Sequence, residues 1–254
     1  STNGFTDYLN ATIDSSEVVS FDSITTNRVT YSQQFDNAAW SKSKGSISAN
    51  AGVAPDGTTT ADKFIPTSAL SSNHMVQKHS FTSESNTLSI YAKPAGYNFI
   101  NAVFEVGAST SQGVQFNIST GVVVTSQNAT GTITDAGDGW YRCAITPSNT
   151  TSSAYAVCQP TDSSTPNTGN YFRATFTGDG SKGVLCWGAQ LEEAAAVTGY
   201  LPTVASSLSG LTTVTRGANG TTAASATSGD TVTQTPLSTG ALNMPLRLKG
   251  LSVS

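Results

Sequence analysis

The side chains that could carry out acid–base or nucleophilic chemistry are few, and their spacing does not bring them together. The two histidines, His74 and His79, lie five residues apart in "SSNHMVQKHSF", so that on a strand they point to opposite faces. The adjacent carboxylates Glu192 and Glu193 diverge instead of facing each other across a substrate. The sequence contains no G-x-S-x-G elbow and no phosphate-binding glycine loop. We therefore predict that the protein is not an enzyme.

Two carboxylates in the turn sequence "TDAGDGW", Asp135 and Asp138, are the candidates for binding a metal ion. Ca²⁺ takes about six to eight oxygen ligands, and no EF-hand spacing is present. Asp-Gly pairs are also common in hairpin turns. We predict that these residues form turns and that the protein has no cofactor, with a structural calcium ion as the alternative.

The three cysteines, Cys143, Cys158 and Cys186, do not form a disulfide framework. Their number is odd and their spacing is wide, which is typical of cysteines that act as small buried hydrophobic residues. We predict three reduced, buried thiols.

Aromatic side chains are the candidates for carbohydrate binding, because a flat ring can pack on the apolar face of a sugar. Tyr97, in the turn "PAGYN", and Tyr91, opposite the apolar face of its strand, are predicted to be exposed. Trp140 opens a strand after a glycine-rich turn, and Trp40 is predicted to close one end of the domain. These four residues form the predicted carbohydrate-binding set.

The elements that must position these residues are predicted to be short strands. Six segments alternate apolar and polar residues with a period of two, and turn clusters such as "KPAGYN" and "TGDGSKG" separate them. The segments are "TLSIYAK", "FINAVFEVG", "GVQFNIS", "GWYRCAIT", "NYFRATF" and "GVLCWGAQL". Their inward positions place Phe104, Phe116, Tyr141 and Trp187 in the core. Many short strands and almost no helix favour an all-β, antiparallel β-sandwich, in the form of a jelly roll.

Composition agrees with this fold and excludes some functions. Charged residues make up only 11% of the 254 residues, while 35 Ser, 38 Thr and 23 Gly favour strands and turns. The net charge of −4 and the lack of a Lys/Arg cluster argue against nucleic-acid binding. No apolar run approaches the roughly 18 residues of a membrane-spanning helix. The N-terminal residues have neither a basic stretch nor an apolar core, so we expect synthesis in the cytoplasm.

Three segments are distinguished by composition. Residues 1–27 are predicted to form an N-terminal arm or anchor, and residues 28–203 form the sandwich. Residues 204–254 contain no Phe, Trp, Tyr or Cys. Because a segment of this size without aromatic residues makes a poor core alone, we predict a small C-terminal β-hairpin module for anchoring or oligomerisation.

Seven motifs occur in a fixed order along residues 28–203. They are "TYSQQFDNAAWSK", "APDGTTTADKF", "LSIYAKPAG", "FNISTG", "DAGDGWYRCAIT", "WGAQLEE" and "TGYLPT". Together they resemble the carbohydrate-binding-module-like, lectin-type jelly-roll domain of bacteriophage virion proteins. The later stretch "VTRGANGTTAASATSGDTV" resembles an element of phage tail and baseplate proteins, in which a His often stands at about the position of Ala226 here.

This resemblance implies a virion structural protein on the surface of the phage particle. The expected role is adhesion to host cell-surface glycans as part of a tail or tail fibre, strengthened by multivalency. The expected partners are other virion proteins and copies of the same chain, in a homotrimer. One alternative is a capsid decoration or cement protein with a purely architectural role. A less favoured alternative is a glycan depolymerase that uses carboxylates distant in sequence, such as Glu105 with Glu84 or Asp138.

Overall fold

A computed structural model describes ten ranges of the chain. They are residues 11–13, 19–21, 26–72, 74–80, 85–105, 111–148, 153–162, 171–205, 208–209 and 213–214. Their regular structure consists of strands, and these ranges contain no helix. In chain order the strands are β1 (Ala11–Ile13), β2 (Val19–Phe21), β3 (Thr26–Asn27), β4 (Ser41–Ser43), β5 (Gly45–Gly52), β6 (Ala61–Pro66), β7 (Leu70–Ser71), β8 (His74–Ser80), β9 (Thr87–Ala95), β10 (Phe99–Glu105), β11 (Gln112–Asn117), β12 (Val122–Gln127), β13 (Ala129–Gly137), β14 (Trp140–Pro147), β15 (Ser153–Thr161), β16 (Phe176–Thr177), β17 (Gly183–Glu192), β18 (Leu208–Ser209) and β19 (Thr213–Val214).

Two six-stranded sheets form the main body of the fold. Sheet I has the strand order β12-β11-β10-β15-β8-β4, and sheet II has the order β13-β14-β9-β17-β6-β5. Neighbouring strands in both sheets are antiparallel. The predicted all-β, antiparallel architecture is confirmed, and the two sheets are arranged as expected for a β-sandwich. The central orders β6-β17-β9-β14 and β8-β15-β10-β11 favour a jelly roll, which stays a prediction.

Apolar side chains from both sheets share one core, which we call the main core. The alternation predicted for four strands is confirmed, because each contributes its predicted inward residues to this core. These residues are Leu88, Ile90 and Ala92 of β9, Ile100, Ala102 and Phe104 of β10, Val114 and Phe116 of β11, and Cys143 and Ile145 of β14. Tyr141 of β14 packs against the main core but is only half buried. Phe104 and Phe116 are buried as predicted.

A bulge in β17 switches the face of the sheet to which the following side chains point. Trp187 pairs with Tyr91 and Gln190 pairs with Ser89, so Gly188 and Ala189 together stand opposite one residue of β9. Gly188 has φ of +59°, a conformation that glycine adopts without strain. Ala189 and Leu191 therefore lie in the main core, whereas Trp187 lies on the outer face of sheet II. The prediction that Leu185, Trp187, Ala189 and Leu191 share one face is wrong, although the predicted burial of Trp187 is confirmed.

The segment "NYFRATF" was predicted to be a strand with Phe172, Ala174 and Phe176 on one face. Of its described residues, 171–176, only the last lies in a strand, the two-residue β16. Tyr171 and Phe172 have φ of 54° and 55°, and left-handed residues interrupt a strand. Phe172 packs against Val103, away from the main core, whereas Phe176 lies in the main core. The prediction fails because the alternation of residue types does not reveal these backbone conformations.

The N-terminal and C-terminal chain ends of the sandwich are hydrogen-bonded to each other through Asn27. This residue is fully buried. Its Nδ2 donates to the carbonyl oxygens of Ala189 (2.9 Å) and Leu201 (2.8 Å), and its Oδ1 accepts from the Leu191 amide (3.2 Å). The Tyr31 amide also donates to the carbonyl of Val204 at 2.8 Å. Residues just before the sandwich and just after it therefore lie side by side.

The chain divides into two compact units. One consists of Ser1–Asn3 and Thr26–Leu208, and it contains the sandwich. The other consists of Gly4–Thr25 and Ser209–Ser254, and its described strands β1, β2 and β19 form a three-stranded antiparallel sheet. Most of the predicted N-terminal arm and of the predicted C-terminal hairpin module lies outside the described residues.

Candidate functional site

The four predicted carbohydrate-binding residues are all buried. Trp40 and Trp140 are 1% exposed, Tyr91 is 3% exposed and Tyr97 is 8% exposed. The predicted exposure of Tyr91 and Tyr97 is wrong, and none of the four rings presents an open face to a sugar. The indole nitrogens of Trp40 and Trp140 instead donate to backbone carbonyls, those of Tyr31 (3.0 Å) and Val53 (3.1 Å).

Tyr91 is buried because sheet II has a second apolar cluster on its outer face. We call this the outer aromatic cluster, and its rings are Tyr91, Trp140, Trp187 and Tyr200. The Trp187 ring lies 5.3 Å from the Tyr91 ring and 4.8 Å from the Tyr200 ring, measured between centroids. Tyr200 belongs to the chain segment that leaves β17, so this segment covers the outer face of the sheet. Burial raises the pKa of the Tyr200 hydroxyl, which also hydrogen-bonds to Ser32 Oγ at 2.7 Å.

The two candidate metal ligands form turns. Asp135 is exposed, and its Oδ1 accepts a hydrogen bond from the Gly137 amide at 2.8 Å. Asp138 has φ of 51°, and its carbonyl oxygen accepts from Lys93 Nζ at 2.6 Å. Among the described residues, no three side chains of His, Cys, Asp or Glu are grouped as a metal ion requires. Both aspartates are therefore turn residues.

The three cysteines lie in the main core as free thiols, as predicted. Burial raises the pKa of all three, to about 12 for Cys158. A thiol is a nucleophile in its ionised form, so these cysteines have no reactive role at neutral pH.

The adjacent glutamates have separate partners. Glu192 is buried and accepts hydrogen bonds from the amide and the hydroxyl of Thr198. Glu193 forms an ion pair with Arg28. Both therefore tie neighbouring segments to the end of β17, and they do not face each other across a cleft.

A pocket of about 340 Å³ opens at one end of the sandwich. The β9–β10 turn, the end of β15 and the β16–β17 turn meet there, because Phe99 pairs with Thr161 and Ala95 pairs with Gly183. The pocket is lined by Gly96, Tyr97, Asn98, Phe99, Asp162, Thr177, Asp179 and Lys182. Its volume falls in the range of small-molecule sites.

Tyr97 links the two turns that form this pocket. Its ring packs edge-on against Phe176 at a centroid distance of 5.4 Å, which fixes its position. Its hydroxyl oxygen accepts a hydrogen bond from the Asp179 amide at 3.1 Å. The exposed ring face predicted for Tyr97 is therefore replaced by a buried ring, whose hydroxyl group holds the β16–β17 turn beside the pocket.

Asp179 holds the β16–β17 turn in shape. Its Oδ1 accepts hydrogen bonds from the amides of Ser181 (2.8 Å) and Lys182 (2.5 Å). These two bonds favour the ionised carboxylate and lower its pKa to about 2. Its Oδ2 lies 3.4 Å from Lys182 Nζ. The pocket is therefore lined by two acidic side chains, Asp162 and Asp179, and one basic side chain, Lys182.

The side chains of this pocket suit a small, polar, hydroxylated ligand. Asn98, Asp162 and Lys182 are exposed and provide an amide, a carboxylate and an ammonium group for hydrogen bonds. Phe99 is half buried and adds an apolar surface for the carbon-rich side of such a ligand. Sequence reasoning missed Asn98, Phe99, Asp162 and Lys182. The glycine-rich turns beside Tyr97 and Asp179 were visible, but only strand pairing shows that they meet.

No protein-family model matches the chain, and a comparison with curated proteins finds no match. Within the described ranges, no helix has the length and apolar character needed to cross a membrane.

Proposed function

We propose that this protein is a bacteriophage virion component that exposes a lectin-like sandwich and binds cell-surface glycans through the pocket at its end. The observation that carries the proposal is that Asn98, Asp162 and Lys182 line the same pocket as the apolar surface of Phe99. Hydrogen-bonding groups beside an aromatic ring match the two kinds of surface on a sugar. The ordered motifs that resemble phage lectin-type domains supply the virion context. Each contact is weak, so many copies on one particle are needed for firm attachment.

The pocket is proposed to bind glycans without hydrolysing them. A glycosidase needs a carboxylic acid that stays protonated, with a raised pKa, opposite a second carboxylate. Asp179 has the reverse property, because the amides of Ser181 and Lys182 hold its pKa at about 2. Asp62 does have a raised pKa because of burial, but its oxygens accept hydrogen bonds from the amides of Phe35 and Asn50. Neither aspartate fits the role of general acid.

Glycan binding is tested with the full chain on an array of bacterial capsular and lipopolysaccharide fragments, followed by titration of each fragment bound. We expect Asn98→Ala and Lys182→Gln each to weaken binding about 2- to 10-fold, the effect of one lost hydrogen bond. Lys44→Gln also removes one positive charge, but from an exposed residue between β4 and β5. This variant should bind as the wild type does. If neither pocket substitution changes the affinity for the fragment, the assignment of the site is refuted. If no fragment is bound, the architectural alternative gains support.

The virion context is tested by electron microscopy of phage particles labelled with an antibody against this chain. We expect label at the tail or its fibres, where a glycan-binding protein meets the host. Label over the head would support a decoration protein, and unlabelled particles would overturn the virion assignment.

A further inference from the structure

One side of the sandwich ends in two edge strands with no charged residue along most of their length. β12 is the last strand of sheet I and β13 is the last strand of sheet II, and only Asn128 separates them in the chain. Residues 118–134 contain no Asp, Glu, Lys, Arg or Pro. Within the described part of the chain, each of these strands has a ladder partner on one side only.

β13 is the more regular of the two edges. Its pairing with β14 runs without interruption from Ala129 to Asp135, so its outward-facing N–H and C=O groups keep the regular spacing of a strand. Thr130, Thr132 and Thr134 point outward from the sandwich and are exposed. β-branched residues favour the extended conformation that strand pairing requires.

β12 adds exposed apolar side chains at the same side of the sandwich. Val122, Val123 and Val124 are 50%, 38% and 37% exposed, and they follow one another in the chain. The two strands contact each other across the side of the sandwich. Backbone groups of β13 and apolar side chains of β12 are therefore presented together.

The opposite side of the sandwich is protected against strand pairing. The edge strand β4 has only three residues and contains Lys42, and Lys44 follows it directly. The edge strand β5 loses regular pairing between Ser48 and Gly52. Short strands, lysines and irregularities are the usual means by which edge strands avoid association. β13 has none of these between Ala129 and Thr134, although Val124 forms an irregularity in the neighbouring β12.

We infer that β13 is a docking edge for a second copy of this chain, in which two β13 strands pair antiparallel around a two-fold axis. The pairing would continue sheet II from one copy into the other, with the valines of β12 beside it. The partner is a second copy because a two-fold axis at Thr132 sets the uncharged residues 130–134 of both copies opposite one another. The same axis places Asp135 of each copy opposite the uncharged Ala129 of the other. The chain carries a net charge of −4, so contact between two copies is favoured at a surface that lacks acidic groups.

The size of this surface predicts a weak association. Seven paired residues span about 24 Å, and two stacked sheets with their side chains are roughly 20 Å thick. The edge therefore covers about 500 Å² on each copy, or about 1,000 Å² in total, at the low end for specific interfaces. A two-fold pairing gives dimers and stands in place of the homotrimer expected from the sequence. It does not depend on glycan binding.

The test is sedimentation velocity of the full chain over a wide range of protein concentration. We expect a monomer–dimer equilibrium whose dimer fraction rises with concentration. Thr132→Lys places like charges close together at the centre of the pairing and should raise the dimer dissociation constant about 10-fold or more. Thr130→Lys places a lysine on the same edge, opposite Thr134 of the other copy, which also disfavours strand pairing, and it serves if the first variant is unstable. Ser46→Lys, at an exposed position of the opposite edge strand β5, should leave the constant unchanged.

Hydrogen exchange of the wild type at low and high concentration locates the contact, and the amides of β13 should gain protection as dimers form. The inference is overturned if the wild type stays monomeric over the whole range, or if it forms trimers. It is also overturned if Thr132→Lys and Thr130→Lys associate as the wild type does, or if Ser46→Lys weakens association to the same extent.

Discussion

Trp187 offers the most direct test of how the outer aromatic cluster contributes to stability. The side chain is only 4% exposed, it contacts the rings of Tyr91 and Tyr200, and its Nε1 donates to Thr60 Oγ1 at 3.1 Å. The Trp187→Ala variant loses two aromatic pairs, which contribute about 0.5–1.5 kcal/mol each beyond burial. With the lost burial and the cavity, we expect the free energy of unfolding to fall by about 3–5 kcal/mol.

The measurement is urea unfolding followed by far-UV circular dichroism, with the fluorescence of the remaining tryptophans as a second probe. Trp187→Phe keeps a large ring and loses the indole hydrogen bond, so we expect a smaller decrease, of about 0.5–1.5 kcal/mol from that bond. Val53→Ala, at a side chain that is 58% exposed, is the control and should change stability by less than about 0.5 kcal/mol. If Trp187→Ala matched the Val53 control, the packing assigned to the outer face of sheet II would be wrong.

Two further predictions concern ionisation. Because the pKa of Asp179 is lowered from 3.8 to about 2, its contribution to the shape of the β16–β17 turn should be complete above pH 3.8 and lost as the pH falls through about 2. Titration of the Asp179 carboxyl carbon by NMR should show a midpoint near 2, and a midpoint near 4 would mean that the hydrogen bonds to Ser181 and Lys182 do not form. The buried thiols Cys143, Cys158 and Cys186, whose pKa values burial raises, should not react with a thiol reagent at neutral pH until denaturant unfolds the chain. Rapid labelling of the native protein would contradict their placement in the main core.

Alternation of residue types was enough to predict the main core. Strands such as β9 and β10 have one face towards the other sheet, so their inward residues follow a period of two. The same reasoning placed Trp187 in the wrong layer, because the bulge at Gly188 and Ala189 inserts one extra residue. A sequence pattern does not show such an insertion in advance.

The exposure of Tyr91 was predicted wrongly for a different reason. It does lie opposite the main core, as its position in "TLSIYAK" indicates. An outward position is exposed only if nothing covers the sheet, and here Tyr200 and its neighbours fold back over it. This coverage is a tertiary contact between residues more than one hundred positions apart, which local patterning does not reveal.

The pocket could be predicted only in part. Tyr97 and Asp179 stand in turn sequences that the composition marks clearly. Their meeting with Asp162 depends on the register of β9 with β17 and of β10 with β15. Register is set by the packing of the whole sandwich, so the site emerges only once the fold is known.

The hydrogen bonds of Asn27 to Ala189 and Leu201 have a consequence for how such a domain can be moved between proteins. Because both ends of the sandwich lie side by side, it can be inserted into a surface loop of another chain with little displacement of the flanking residues. In this sequence the sandwich already interrupts a second unit, which is built from residues on either side of it. A domain whose chain ends lie this close can be transferred as one piece, with its core and its pocket intact.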